Sequence, residues 1–265
     1  MFYEELDIPV DIEKLRREIT DLKEELGQPV TQGEEFETAE YKGFGGWSLL
    51  SRTGDWRDGW ETFQAPDGRK FESFLPTEEL TLKALKYFHM CHSLEHDKPT
   101  QGYVGEIRKV LNHIKELGFH PTRARISRMK AHGKSLVHTD CEIGEYMARI
   151  HIPIWSNPDC AFIANGHHLY MQPGKVYIVW VNIWHQIRND SDLDRYHIIM
   201  DAYDTKKITK HFKYEGDFAE LQNYARAYRE KIEEVELTTE DHELFEALKA
   251  RYLNREEHKG LIFEV

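Results

Sequence analysis

Between Pro121 and Tyr203 the chain runs in short, alternating stretches rich in Val, Ile, Tyr and Trp, and this pattern limits the fold more than any other feature. The stretches fall at 123–130, 135–140, 146–154, 160–164, 168–171, 176–181, 184–188 and 196–203. Gly133, Gly144, Asn157-Pro158, Asn165-Gly166, Pro173-Gly174 and residues 189–192 punctuate them. Period two means that alternate side chains share a face. Eight short strands at this spacing predict a closed β-sandwich or barrel.

The flanks follow the helical period instead. Ile12, Leu15, Ile19, Leu22 and Leu26 line one helical face, with Asp11 placed to cap its start and Gly27 to end it. This amphipathic face suits packing on the β core, and a dimer seam is the alternative. A second helix follows Pro76-Thr77 through Leu80, Leu82, Leu85 and Phe88. A third runs from Val104 through Ile107, Leu111 and Ile114 to Gly118. Helical spacing returns over 218–236 and 239–252, while the Gly- and Trp-rich stretch 43–60 reads as short strands and turns. With no internal repeat or low-complexity linker, the 265 residues read as one domain. Residues 1–120 form a helical and mixed support, 121–204 the β core, and 205–265 the C-terminal helices. The fold class is a mostly β core with helical flanks.

Charge and composition remove several functions. The net charge is −12, and residues 121–204 hold nine basic and nine acidic residues, so no basic face exists to bind phosphates. Lys206, Lys207, Lys210 and Lys213 make a small patch of the kind common on solvated surfaces. No nucleic-acid partner is expected. The longest apolar run, 176–184, is half a membrane span and contains Asn182, so no membrane partner is expected either. An acidic N-terminus without an apolar leader, and Cys91, Cys141 and Cys160 far apart without CxxC spacing, predict a reduced, cytoplasmic protein. Oligomeric state is not legible.

Among fifteen histidines most must be ordinary. His89, His92 and His96 have helical spacing without an HExxH pattern, and His167-His168 follow a hairpin turn. Gly43, Gly45 and Gly46 lack a dinucleotide fingerprint. His138-Thr139-Asp140 differs, because i and i+2 on a strand share a face and can meet one ion. His185, 47 residues later at the start of another strand, offers a third ligand. Two histidines and a carboxylate on one octahedral face leave three positions open, as in non-haem Fe(II) oxygenases. Arg195, ten residues beyond His185, would place a planar fork to grip a carboxylate. Bland alternatives stand beside these readings. Asp140 could serve a turn before Gly144, His151 could be a core histidine, and Arg195 could pair with Asp192 or Asp194. Arg123, Arg125 and Arg128 could line a half-exposed strand or meet an acidic substrate. Trp47, Arg52, Trp56 and Trp60 are candidates for gripping substrate, with a packed aromatic cluster as the competing reading.

With these residues in place, the sequence resembles the aspartyl/asparaginyl (proline-type) β-hydroxylase family of Fe(II)/2-oxoglutarate-dependent dioxygenases. The likeness covers about 123–204 and shows best at 148–154, at 171–176 and from His185 to Arg195. It implies a double-stranded β-helix (a jelly roll, cupin-like), with His138, Asp140 and His185 as iron ligands and Arg195 as the clamp on 2-oxoglutarate. It further implies that Arg149 and His151 contact the cosubstrate, with Ser127 as an additional contact. The expected cofactors are Fe(II), 2-oxoglutarate and O2, with succinate and CO2 as coproducts. Mammalian members have glycine where this chain has Asp140, which groups it with triad-bearing hydroxylases rather than halogenases. The expected substrate is a small, amino-acid-like molecule, free or derivatised. A residue within a peptide or protein is the alternative, and a non-redox cupin-like metal-binding protein or isomerase is the rival class. Imidazole and carboxylate suit zinc as well as iron.

Overall fold

A computed structural model describes residues 2–31, 44–58, 77–87, 93–135, 137, 147–181, 183–204 and 218–253. Twelve strands are found among them: β1 (Tyr3–Leu6), β2 (Val30–Thr31), β3 (Phe44–Ser48), β4 (Leu50–Ser51), β5 (Lys98–Pro99), β6 (Phe119–Met129), β7 (Met147–Trp155), β8 (Cys160–Ala164), β9 (His167–Leu169), β10 (Val176–Val179), β11 (His185–Asn189) and β12 (Arg195–Asp204). The helices are α1 (Ile12–Leu26), α2 (Glu78–Tyr87), α3 (Gly105–Glu116), α4 (Phe218–Glu234) and α5 (Thr239–Leu253), with a 3-10 turn at Ser93–Glu95.

Ten of these strands form a large antiparallel sheet, ordered β1-β10-β7-β12-β6-β3-β2, and a smaller one, ordered β11-β8-β9, while β4 and β5 pair with each other. After β7 the chain crosses to the small sheet for β8 and β9, returns for β10, crosses again for β11, and returns for β12. This alternation is that of a jelly roll, as the family resemblance implies. The small sheet continues past β11 towards Lys134, which bridges Arg188, and Ser135, whose N–H donates to the Ile187 carbonyl at 2.8 Å.

The large sheet has two unlike faces. Ala124, Ile126, Ile150, Ile152, Ile154, Val176, Ile178, Ile198, Met200 and Ala202 point outward into one hydrophobic cluster. Leu15, Ile19 and Leu22 of α1 and Ile107, Val110, Leu111 and Ile114 of α3 complete it, so the helix at 11–26 packs on the β core. Asp11 caps α1 by accepting from Lys14 N–H at 3.0 Å, and Gly27 ends it at φ +78°. The two helices are joined where the Glu18 carboxylate accepts the Glu106 and Ile107 N–H groups at the start of α3. Gly105, at φ +45°, is needed there, because a side chain would collide with Glu18. Trp47 and Trp56 belong to the same cluster, so the aromatic-cluster reading holds for them; Trp60 lies outside the described residues. At the far end of the molecule, Leu82 and Leu85 of α2 pack on Ile232 of α4, and Ala84 meets Phe245 of α5. No described helix is long and apolar enough to cross a membrane.

Candidate active site

The inner face of the large sheet is polar where the outer is aliphatic. From β6 to β7 it presents Arg125 and Ser127, then Arg195, His197 and Asp201, then Arg149 and His151, all buried. Cross-strand register sets these side by side: Ser127 opposes His197, Ile199 lies between Arg125 and His151, and Asp201 opposes Arg149. A barrel interior lined this way is costly unless its polar groups are paired or meet a ligand.

His185 opens β11 on the facing sheet and is 1% exposed. Its Nδ1 lies 2.9 Å from the Ile183 carbonyl, which can only accept, so Nδ1 carries the proton and Nε2 keeps its lone pair. That is the tautomer a metal ligand requires. The ring stacks on Phe162 at 4.7 Å, and Phe162 in turn meets the edge of His151 at 6.1 Å. The two sheets therefore face each other across His185, Phe162 and His151. Both ring nitrogens of His151 are buried without a hydrogen-bond partner among the described residues.

Arg195 opens β12 and is 3% exposed. The competing reading, in which it pairs with Asp192 or Asp194 at the surface, is not met. Asp194 binds Arg128 (Nε at 2.7 Å) and the Ala131 N–H, while His132 Nε2 lies 3.0 Å from Asp192. The β11–β12 turn is pinned beneath them by buried Asn189. Its Nδ2 donates to the Lys130 and Leu193 carbonyls, and its Oδ1 accepts from Ser191 Oγ at 2.7 Å. Among the described residues Arg195 has no carboxylate partner; its one hydrogen bond is from Nη2 to His197 Nδ1, at 2.9 Å. Burial pulls its pKa down to about 10, which leaves it protonated at neutral pH.

At the other end of this face, Arg149 donates from Nε and Nη2 to Asp201 Oδ1 at 3.1 and 3.0 Å. Arg123 Nη1 stands 3.8 Å from Asp201 Oδ2. Arg123 reaches inward because β6 bulges there. The register slips between Ile199 and Asp201, Arg123 sits at φ +48°, and its N–H leaves the ladder for the His96 carbonyl at 2.8 Å. The half-exposed reading of Arg123 and Arg125 is thereby corrected, since both are buried; Arg128 does lie nearer the surface with Asp194.

Ser127, Arg149, His151, His185 and Arg195 thus share one interior. His138 and Asp140 lie outside the described residues, as do His89 and His92. Sequence reasoning passed over His197 and Asp201. A signal for His197 was present, because Arg195-Tyr196-His197 repeats the Arg-x-His spacing of Arg149-Ile150-His151. For Asp201 nothing local marked it out.

The buried imidazoles carry a stability consequence. Burial first, and Arg195 second, holds the pKa of His151 and of His197 well below the usual range. Burial, then Arg123, takes His96 down to about 3. Unfolded histidines protonate near 6.5, so below that pH the unfolded chain binds more protons and stability falls as pH falls. Each group contributes up to about 1.4 kcal/mol per pH unit, or roughly 4 kcal/mol for the three. The urea midpoint of the metal-free protein should be flat above pH 7 and drop steeply from pH 6 to 5. A flat midpoint down to pH 5 would show that these rings take up protons while folded.

The aspartyl/asparaginyl β-hydroxylase family model matches residues 11–205. No curated protein matches the chain. Among solved structures, an oxidoreductase of the 2OG-Fe(II) oxygenase family from Burkholderia pseudomallei is similar over 38% of this chain and 59% of its own, at 15% identity and a TM-score of 0.32. A viral collagen prolyl hydroxylase from Paramecium Bursaria Chlorella virus-1 (11% identity, 36% and 66% covered, TM-score 0.28) and a cupin domain from Bordetella pertussis (16% identity, 32% and 93% covered, TM-score 0.25) are comparably distant. Likenesses this weak bear no argument about function, and this chain spans about three-fifths of the Burkholderia protein. The family match covers most of the chain and both sheets of the jelly roll, which makes this protein a member of the aspartyl/asparaginyl β-hydroxylase family.

Proposed function

We propose that this protein hydroxylates an unactivated C–H bond of a free or derivatised amino acid, using Fe(II), 2-oxoglutarate and dioxygen. The observation that carries the reading is Arg195, a buried guanidinium facing the barrel interior with no carboxylate partner among the described residues. A charge so placed suits a bound anion. The tautomer of His185 fits a metal ligand, and the unpartnered nitrogens of His151 fit a polar ligand beside it.

On this reading His138, Asp140 and His185 hold the iron. The chain enters the segment bearing His138 from Ser135, which lies beside Ile187, two residues from His185. When bound, the metal supplies the oxidising chemistry, in which 2-oxoglutarate and dioxygen yield succinate, CO2 and one oxygen atom for the substrate C–H. Arg195 grips the far carboxylate of the cosubstrate through a planar fork. His151, Arg149 and Ser127 orient its near end, and Phe162 walls the space between the sheets against water. The inner face carries Arg123 and Arg125 beside the single carboxylate of Asp201, an excess of positive charge that suits a substrate bearing a carboxylate.

The test is anaerobic addition of Fe(II) and then 2-oxoglutarate. A visible charge-transfer band should develop in the parent and be lost in His185→Ala. Succinate release over an amino-acid panel then identifies the substrate. Metal uptake without a band, and no succinate with any amino acid, would overturn the reading.

A further inference from the structure

His197 is not among the residues that the family resemblance implies, yet among the described residues it is the hydrogen-bond partner of Arg195. It is 1% exposed, sits two residues further along β12 on the same inner face, and lies opposite Ser127. Its Nδ1 receives the Arg195 Nη2–H at 2.9 Å, and its ring stands edge-on to His151 at 5.7 Å. Guanidinium only donates, so Nδ1 is the accepting lone pair and the proton of the neutral ring is on Nε2. That Nε2 is buried without a partner among the described residues. An imidazole kept merely to fill space would cost more there than an aliphatic side chain, because one of its polar atoms is left unsatisfied. What the ring does contribute is a hydrogen bond to Arg195, the one that this long side chain makes among the described residues.

We propose that His197 is a positioning residue for the clamp, holding the Arg195 fork at the depth and tilt that receive the far carboxylate of 2-oxoglutarate. The proposal rests on the reading of Arg195 given above. With Nη2 engaged on one side, rotation of the guanidinium plane is restrained, and its four remaining N–H donors keep a fixed relation to that bond. Preorganising the donor in this way lowers the entropy lost when the cosubstrate binds.

The test uses Fe(II)-loaded protein under argon, titrated calorimetrically with 2-oxoglutarate and with 2-oxobutyrate, which lacks the far carboxylate. Three variants run beside the parent: His197→Asn, whose Oδ1 can accept near the position of Nδ1; His197→Gln, whose acceptor lies one bond further out; and Arg195→Met. His197→Gln should bind 2-oxoglutarate about tenfold more weakly, and His197→Asn within about threefold of the parent. Binding of 2-oxobutyrate should be the same in the parent and in both His197 variants. Parent-like affinity in His197→Gln overturns the inference, and so does an equal loss in the Asn and Gln variants or an equal loss for both ligands. If Arg195→Met binds 2-oxoglutarate as the parent does, the clamp itself is wrong and the role of His197 falls with it.

Discussion

An Arg195→Met protein should be at least as stable as the parent in the absence of ligand and should no longer bind 2-oxoglutarate usefully. The guanidinium is buried, and its only hydrogen bond among the described residues goes to a neutral ring. Its desolvation is therefore poorly compensated until an anion arrives. Apolar replacement of buried ionic groups is commonly neutral or stabilising by about 1–4 kcal/mol. Removing one partner of a buried charge pair, by contrast, costs binding about 2–5 kcal/mol, at least about thirtyfold in affinity. Thermal melts read both effects together. Saturating 2-oxoglutarate at a hundred times its Kd should stabilise the parent by about 2.7 kcal/mol, which corresponds to about 2–4 °C per kcal/mol in Tm, and should not move the variant. A variant that melts several degrees lower and still responds to the ligand would make Arg195 a structural residue.

Asp201→Asn should have the opposite character, with a large loss of stability in the absence of any ligand. Its carboxylate accepts two hydrogen bonds from Arg149 and faces Arg123 in a buried setting. Taking the charge from one side of such a network costs about 3–5 kcal/mol, because the arginines remain buried without this counter-charge. Urea unfolding measures it. Combining Asp201→Asn with Arg149→Met should recover part of the loss, since the penalty belongs to the pair and not to either residue. Additive losses would show that the two side chains do not act on each other.

The strands and helices were legible because each has one aliphatic face. The outward residues Ile150, Ile152 and Ile154 alternate with the inward Arg149 and His151, so period two stands out on both faces. The first helix was legible down to its caps, because Asp11 and Gly27 act locally. The sequence pattern does not say which face of a strand is more deeply enclosed. Arg123 and Arg125 look half-exposed from their alternation, and only the bulge at Arg123 and the closure of the barrel bury them. The site was legible where spacing carries chemistry, as for His185 and Arg195. It was not legible where a partner comes from a distant strand. Asp201 is 52 residues from Arg149, and the choice of Asp194 for Arg128 rather than for Arg195 depends on how the β11–β12 turn is pinned.

Arg195, His197 and Asp201 all ride on β12, the strand laddered to β6 on one side and β7 on the other over nearly its whole length. Its amides are shielded by the isoleucine-rich layer above and the closed interior below, and should be among the last to exchange with deuterium. On the proposed reading, cosubstrate and succinate would come and go past a backbone that stays paired on both sides. Exchange at the clamp is left to rotation of side chains within a fixed frame.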